Sequence, residues 1–560
     1  MPDATHPDPG HSDAGEPGPA GGGPEGVSVA ATPSDATPGQ TLDPDSPPPE
    51  AGTVPTAPAP RGEGLSDKAA KGFAFMAAQT ILVRGVRFAG MFVLTWLVMP
   101  ADFALFGYVL TVSQFVSVLR NAGVRDIIIR RQHRARKWVN PGVWLTGIVG
   151  YLLTALMIVC SPLIAEFYGH WQMVDLVIVM AGTTMFQSLS QAPVGLLQGG
   201  MRFRLLATVE SLYNCGLMIL TVLFAWMGLG AMSFVLPFLV CSAARTGVLW
   251  AYARPRVRLN PQFRRWKYLI GDSIRLMSAD VARTVTLQGD IIILGRVFPG
   301  LGSVGHYVYG NSISRQSMML FSRNLDLVLF PTLSKIQRET GRQNAAFVRA
   351  LRMLAVVGVP LCFLQAAVSD PLIHTLVPER FYGTIPFIVV LSVGMAGRLM
   401  ISPAESMLRG QGRFGMFSLL NWIFAVLYTA GAIIGALAWG DPMGVAIAIG
   451  VITGFGGVLY VLIALSRSET PVRSTIRVFA VPVLAAGGAC GLGWWASTLL
   501  PREGVVNGVL GALIVVAITG VLYLPAVWIL ERDVCNEFLQ RIRAVVGNRL
   551  GSRIPGLRGA

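Results

Sequence analysis

Four arginines stand where an apolar chain has little reason to place a charge. Arg84, Arg87, Arg283 and Arg315 each fall inside long hydrophobic stretches, where an ionised side chain costs roughly 3 kcal/mol or more and so faces a protein interior or a water-filled cavity. Counted from the expected helix starts at 1.5 Å per residue, Arg84 and Arg87 lie about 18 and 22 Å deep, Arg283 lies at similar depth, and Arg315 about 16 Å deep. Arg84 and Arg87 are three residues apart and share a helix face. A guanidinium donates two parallel hydrogen bonds, a geometry that suits phosphate and diphosphate and is strengthened in a low dielectric. The spacing therefore predicts a substrate-facing cationic cavity near the membrane midplane. The competing expectation is pairing that only stabilises the bundle: Asp280 precedes Arg283 by three residues, and Asp290 is close by. Glu210 and Glu405 are candidates either for proton or cation coupling or for satisfying a neighbouring arginine.

What surrounds these residues excludes several other chemistries. The six cysteines include no CxxC pair, and all but Cys535 lie in apolar runs, so they read as small buried hydrophobes. The six histidines form no HExxH or paired constellation, and neither a phosphate-binding GxxxxGK[ST] loop nor a GxSxG elbow occurs. No catalytic residue, resident metal or cofactor is expected, and no nucleic-acid partner.

The elements that carry the arginines follow from composition. Of 560 residues 53% are hydrophobic and 13% charged, far from the balance of soluble domains. Stretches of about 20 apolar residues recur from Phe73 to Leu530, each long enough to cross a roughly 30 Å hydrocarbon core. We place them at 73–98, 104–120, 141–161, 174–197, 206–227 and 231–252, then at 268–294, 305–330, 348–369, 384–403, 414–438 and 442–465, with two more at 478–499 and 506–530. The fold class expected is all-α integral membrane, with about 14 transmembrane helices. The seventh and eighth are the most charged. Alternate loops hold 24 basic residues against three (Arg296, Arg380, Arg502) in the other set. By the positive-inside rule that split puts both termini in the cytoplasm of a multi-pass protein of the cell (inner) membrane.

The chain divides accordingly. Residues 1–64 are rich in Pro and Gly and carry ten acidic residues with no basic one before Arg61; they read as a disordered cytoplasmic tail. Residues 65–252 would form an N-lobe, 253–466 a C-lobe, 467–530 two appended helices, and 531–560 a second tail. In that tail Val534, Phe538, Ile542 and Val545 mark a short amphipathic helix. Met99-Pro100 followed by Gly107-Tyr108 is echoed by Phe298-Pro299 followed by Gly305-His306-Tyr307, which suggests two pseudo-repeated six-helix lobes.

These residues also carry a resemblance. The run Met99-Pro100-Ala101-Asp102-Phe103-Ala104-Leu105-Phe106-Gly107, Asn121-Ala122-Gly123 before Ile129-Arg130-Arg131, Met201-Arg202-Phe203-Arg204, Gly289-Asp290-Ile291-Ile292-Ile293-Leu294-Gly295-Arg296, and Phe330-Pro331-Thr332-Leu333-Ser334 occur in an order and spacing that resembles the polysaccharide transporter (Wzx-like oligosaccharide flippase) branch of the multidrug/oligosaccharidyl-lipid/polysaccharide flippase superfamily. The resemblance runs from about residue 68 to 530. It implies two six-helix lobes around a central cavity and alternating access that moves a polyprenyl-diphosphate-linked oligosaccharide from the cytoplasmic to the outer leaflet. Its implied partners are that lipid-linked substrate, membrane lipids, and a polysaccharide polymerase and glycosyltransferases. Met99 and Ala101 depart from a turn usually written with Leu and Gly. Two other classes were weighed: a cation-coupled drug or metabolite antiporter of the same superfamily, favoured if acids dominate the cavity, and a membrane polymerase or ligase, which needs a far larger outer loop than the roughly 14 residues at 370–383.

Overall fold

In the computed structural model, residues 83–120, 135–200, 202–255, 266–335, 340–466, 472–501 and 504–530 are described, apart from a few isolated positions. The acidic tail 1–64 and the amphipathic helix expected after residue 532 lie outside the described residues.

The described chain is helical throughout. In order the helices are α1 (83–97), α2 (Pro100–Arg120), α3 (Ala135–Tyr168), α4 (Met173–Gly199), α5 (Phe203–Trp226), α6 (Met232–Ala253), α7 (Trp266–Val297) and α8 (Leu301–Lys335). They continue as α9 (Thr340–Leu376), α10 (Glu379–Gly410), α11 (Phe414–Trp439), α12 (Pro442–Ala464), α13 (Val472–Thr498) and α14 (Val505–Leu530). Eleven of them, all but α1, α7 and α8, are long and apolar enough to cross a membrane. Of the other three, α1 is described over only 15 residues, and α7 and α8 carry arginines and other polar residues that lower hydropathy. The protein is an all-α integral membrane protein of about fourteen transmembrane helices, because helices are one of only two ways to satisfy every backbone polar group in lipid. Large apolar side chains point outward, among them Val426, Ile434, Leu437, Phe455, Leu513 and Val521, as a lipid-facing surface requires.

Tight turns join the helices at one end of the bundle. Asp102 accepts a hydrogen bond from the Met99 backbone N–H at 2.9 Å, and Pro100 takes the first helical position of α2. Asp441 is the N-cap of α12, its carboxylate accepting from Met443 N–H at 3.3 Å, with Pro442 next. Trp96, Trp171, Trp226 and Trp439 are exposed beside these turns, as an interfacial aromatic belt would be.

Two repeated devices relate the halves. Pro193 in α4 and Pro403 in α10 cannot donate to the carbonyls of Leu189 and Leu399, so each helix breaks there, at Ser190 and at Leu399–Met400. The Leu189 carbonyl freed in this way accepts from Trp250 Nε1 at 3.0 Å. Each broken helix then ends on Leu-x-Gly-x-x-Arg-Phe, at 197–203 and again at 408–414. Arg202 and Arg413 share nearly one backbone conformation (φ −82°, ψ 49° and φ −83°, ψ 54°) and donate to Leu197 O and Leu408 O, both at 2.9 Å. Shared sequence thus gives a shared turn.

The first half packs through α3 on α4, α4 on α6, and α5 on α6; the second through α7 on α11, and α10 on α12 and α8. The last two helices, α13 and α14, lie on each other and on α9. Helices α10 and α12 meet backbone to backbone at Gly394, Gly397, Gly450, Gly454 and Gly457, where small residues let membrane helices approach closely. The halves join where α2 crosses α8: a Cβ on Gly305 would run into the Pro100 carbonyl, and one on Gly107 would meet Val308 Cγ2 at 2.9 Å. Beside that crossing Phe103 contacts Phe234, Tyr309 and Phe381, with ring centroids 4.9, 5.1 and 5.7 Å apart. Arg380 Nη2 donates to the carbonyls of Thr95 and Trp96 at 2.8 and 2.9 Å, and Trp96 Nε1 to Leu376 O at 2.9 Å. The short-turn end is shut by aromatic packing and backbone hydrogen bonds between α1, α2, α8, α9 and α10.

Candidate functional site

Deeper than this seal the packing loosens. Residues 112–117 of α2 and 315–318 of α8 are partly exposed, whereas 103–105 and 307–311 are buried. The charged groups of the second half gather at this depth, about 20 Å below the short turns for Arg283 and Arg315 at 1.5 Å per residue.

Their anchor is Asp290, which is fully buried. Gly289 lets α7 close on α11, since a Cβ there would stand 3.3 Å from Thr429 Oγ1. That approach brings the Tyr428 hydroxyl to Asp290 Oδ2 at 3.2 Å, where it donates alongside Tyr307 OH at 2.7 Å and Asn311 Nδ2 at 3.2 Å. Arg315 reaches the same oxygen at 4.0 Å and is held in place by bonds to Asn311 Oδ1 (3.0 Å) and the Leu287 carbonyl (2.7 Å). Asp290 Oδ1 has no partner. Oδ2 is crowded with donors, so Asp290 serves to fix the Arg315 guanidinium rather than to neutralise the neighbourhood.

Two further guanidiniums lie in this neighbourhood. Arg283 is exposed on α7, forms no hydrogen bond or ion pair among the described residues, and is not paired with Asp280, which is itself exposed. Arg398 closes the first segment of α10; it stands 5.9 Å over the Tyr428 ring, its Nη1 lacks an acceptor, and Arg283, Arg315 and Asp290 all act on it electrostatically. Arg84 of α1 joins from the side, donating to the Met319 carbonyl one turn beyond Arg315 at 3.2 Å. Arg87 is exposed on the same helix. Glu405 is buried within electrostatic reach of Tyr460, as are Arg409 and Arg283.

The remaining expected residue lies elsewhere. Glu210 of α5 pairs with Arg245 of α6 in the first half and is not part of this cluster. Sequence reasoning passed over Arg398 and Arg245, although both fall inside apolar spans and the depth test applied to the other arginines would have flagged them.

A guanidinium set from α1, α7, α8 and α10, of which Asp290 fixes only Arg315, beside partly open helices, is suited to gripping a multivalent anion. It contains no nucleophile and base in the arrangement of a hydrolase. The sequence from 93 to 386, more than half the chain, matches the family described as polysaccharide biosynthesis protein. The chain belongs to that family. Curated relatives agree across most of its length. The succinoglycan biosynthesis transport protein ExoT of Rhizobium meliloti (strain 1021) is 22% identical over 82% of this chain and 92% of its own. The lipopolysaccharide biosynthesis protein WzxC of Escherichia coli (strain K12) is 22% identical over 70% and 78%, and the teichuronic acid biosynthesis protein TuaB of Bacillus subtilis (strain 168) is 24% identical over 56% and 67%. Among solved structures, the fold resembles the lipid II flippase MurJ in an inward closed conformation (TM-score 0.67, 16% identity, 82% of this chain and 100% of that one). It also resembles a multidrug resistance MATE family transporter in an inward-facing conformation (TM-score 0.57, 14% identity, 71% and 96%).

Proposed function

We propose that this family member is a flippase that carries polyprenyl-diphosphate-linked oligosaccharide repeat units across the cytoplasmic membrane for surface polysaccharide assembly, without covalent chemistry. The observation that carries the reading is the charge imbalance at depth among the described residues: Arg283, Arg315 and Arg398, from three helices, with Arg409 beyond them, against the two buried carboxylates Asp290 and Glu405. Unpaired guanidiniums inside a membrane protein are costly, and a diphosphate offsets that cost while it is bound. The relatives that act in polysaccharide biosynthesis support the oligosaccharide part.

In this reading the short-turn end faces outward and both termini lie in the cytoplasm, as the basic loops favour. Residues 65–252 and 253–466 act as two lobes, with 467–530 appended. With the α2–α8 crossing and the Phe103 cluster shut, the diphosphate enters from the cytoplasmic side and is gripped by Arg283, Arg315 and Arg398, with Arg84 and Arg87 opposite. Parting of α2 from α8 then opens the outer end. Asp290 positions Arg315 throughout. A polymerase and glycosyltransferases would supply and consume the substrate, and the chain itself catalyses no reaction.

The test is polymer export from cells in which the chain carries Arg283→Ala or Arg398→Ala. Export should fall at least tenfold at unchanged protein level in the membrane, and Lys, which keeps charge but loses the fork, should restore it only in part. Full export with both alanines would overturn the proposal.

A further inference from the structure

A second cluster of charge lies in the first half, built by α2, α4, α5 and α6. Arg245 of α6 donates through Nε to Glu210 Oε1 at 3.1 Å, through Nη2 to the same oxygen, and through Nη1 to Ser190 Oγ at 3.0 Å, at the break in α4. Its guanidinium carbon stands 5.7 Å from the centre of the Tyr213 ring. Glu210 is thus committed to Arg245.

Arg120, the last residue of α2, has no such partner. It is only 9% exposed, it forms no hydrogen bond or ion pair among the described residues, and its Nε is enclosed with no acceptor. The groups that act on it most are Arg245, of like charge, and Tyr213. Among the described residues of the first half, two guanidiniums, one buried and one partly so, thus stand with one carboxylate, and that one, Glu210, is half-exposed. A buried charge left uncompensated is strongly destabilising, so Arg120 calls for an anion that the described residues do not supply. Arg120 lies about 30 Å along α2 from Pro100 at 1.5 Å per residue, the full depth of a hydrocarbon core, which places it level with the phosphates of a bilayer leaflet.

We propose that Arg120, backed by Arg245, is a second anion site that takes a phosphate-class group at headgroup depth, at the end of the bundle away from the short turns. The group reaches it from one of two sources: the headgroup of an anionic phospholipid, or the diphosphate of a lipid-linked molecule entering the bundle. The site is separate from the Arg283, Arg315 and Arg398 cluster and does not depend on what that cluster binds.

The experiment uses the full-length chain in nanodiscs and reads thermal unfolding, because a ligand that binds only the folded state raises the midpoint. An Arg283→Gln background weakens the other cluster, and Arg120→Gln is added to it. One arm adds inorganic pyrophosphate to phosphatidylcholine nanodiscs; the other replaces part of the phosphatidylcholine with phosphatidylglycerol. The proposal expects at least one anion to stabilise the Arg283→Gln protein and to need at least tenfold more to do so once Arg120 is Gln. A response to pyrophosphate alone identifies an entering diphosphate, and a response to phosphatidylglycerol alone identifies a lipid headgroup. Arg120→Lys, which keeps the charge and loses the fork, should give an intermediate midpoint, and it serves if the Gln variant does not fold. Equal stabilisation with and without the Arg120 guanidinium in both arms would overturn the proposal.

Discussion

Replacing Gly305 with alanine should open the sealed end of the bundle. The added methyl would fall on the carbonyl oxygen and carbon of Pro100, and 3.1 Å from Pro100 Cα. The obstacle is backbone, so no rotamer change relieves it, and α2 and α8 must part by on the order of 1 Å. Overpacking of this kind costs typically 1–3 kcal/mol. The cost falls on the state in which the two helices touch, so at about 1.4 kcal/mol per decade the open-to-closed ratio should rise about 5- to 150-fold. Val377 is 3% exposed in the same seal, and a cysteine placed there, in a chain whose six native cysteines have been replaced, reports opening by its rate of reaction with a membrane-impermeant maleimide. The rate should rise at least fivefold with Gly305→Ala. Gly302→Ala is the control from the same helix, because its Cβ would meet nothing within 4 Å, and it should leave the rate unchanged. An unaltered rate in a folded Gly305→Ala protein would refute the claim that this contact holds the end shut.

Asp290→Asn should lower stability by about 3–5 kcal/mol, since it strands Arg315 without its carboxylate; adding Arg315→Gln should recover most of the loss in a thermal unfolding assay, though not transport. Cysteines placed at Arg131, Arg258 and Lys335 should resist external labelling in intact cells, and labelling at all three would contradict the orientation drawn from the basic loops. Deleting residues 1–64, which carry ten acidic residues, should leave membrane insertion and export unchanged when both are measured at equal protein level.

Much of the fold was legible in the sequence because lipid imposes length and apolarity on every spanning helix. The expected spans 414–438, 442–465 and 506–530 start and end within one residue of α11, α12 and α14, whereas 478–499 ends with α13 but starts six residues late. The longer helices were read short: α3 and α9 run past both ends of the spans at 141–161 and 348–369, since polar residues extend a helix beyond the hydrocarbon without registering in hydropathy. Of the repeat, the Pro-turn-Gly echo was visible, whereas the second pair, Leu-x-Gly-x-x-Arg-Phe, emerged only when Arg202 and Arg413 showed matching backbone angles. The depth of the candidate site's arginines was legible, and their partnership was not. Sequence spacing offered Asp280 for Arg283, but the pairing that forms is Asp290 with Arg315, because the close approach of α7 to α11 at Gly289 turns Asp290 into the second half's core. Arg398 was as legible by depth as the others, since it lies inside the span 384–403; what hydropathy does not register is the Pro-induced break beside it.

The central claim is that the guanidinium cluster of the second half grips the diphosphate of a lipid-linked oligosaccharide. The most direct measurement is the rate at which the purified chain, reconstituted in liposomes, moves a fluorescent polyprenyl-diphosphate oligosaccharide between leaflets, compared with the Arg283→Ala/Arg398→Ala protein. The account predicts a fall of at least tenfold with the fold intact, and a smaller fall when the two residues are replaced by lysine; equal rates for the native and double-alanine proteins would contradict it.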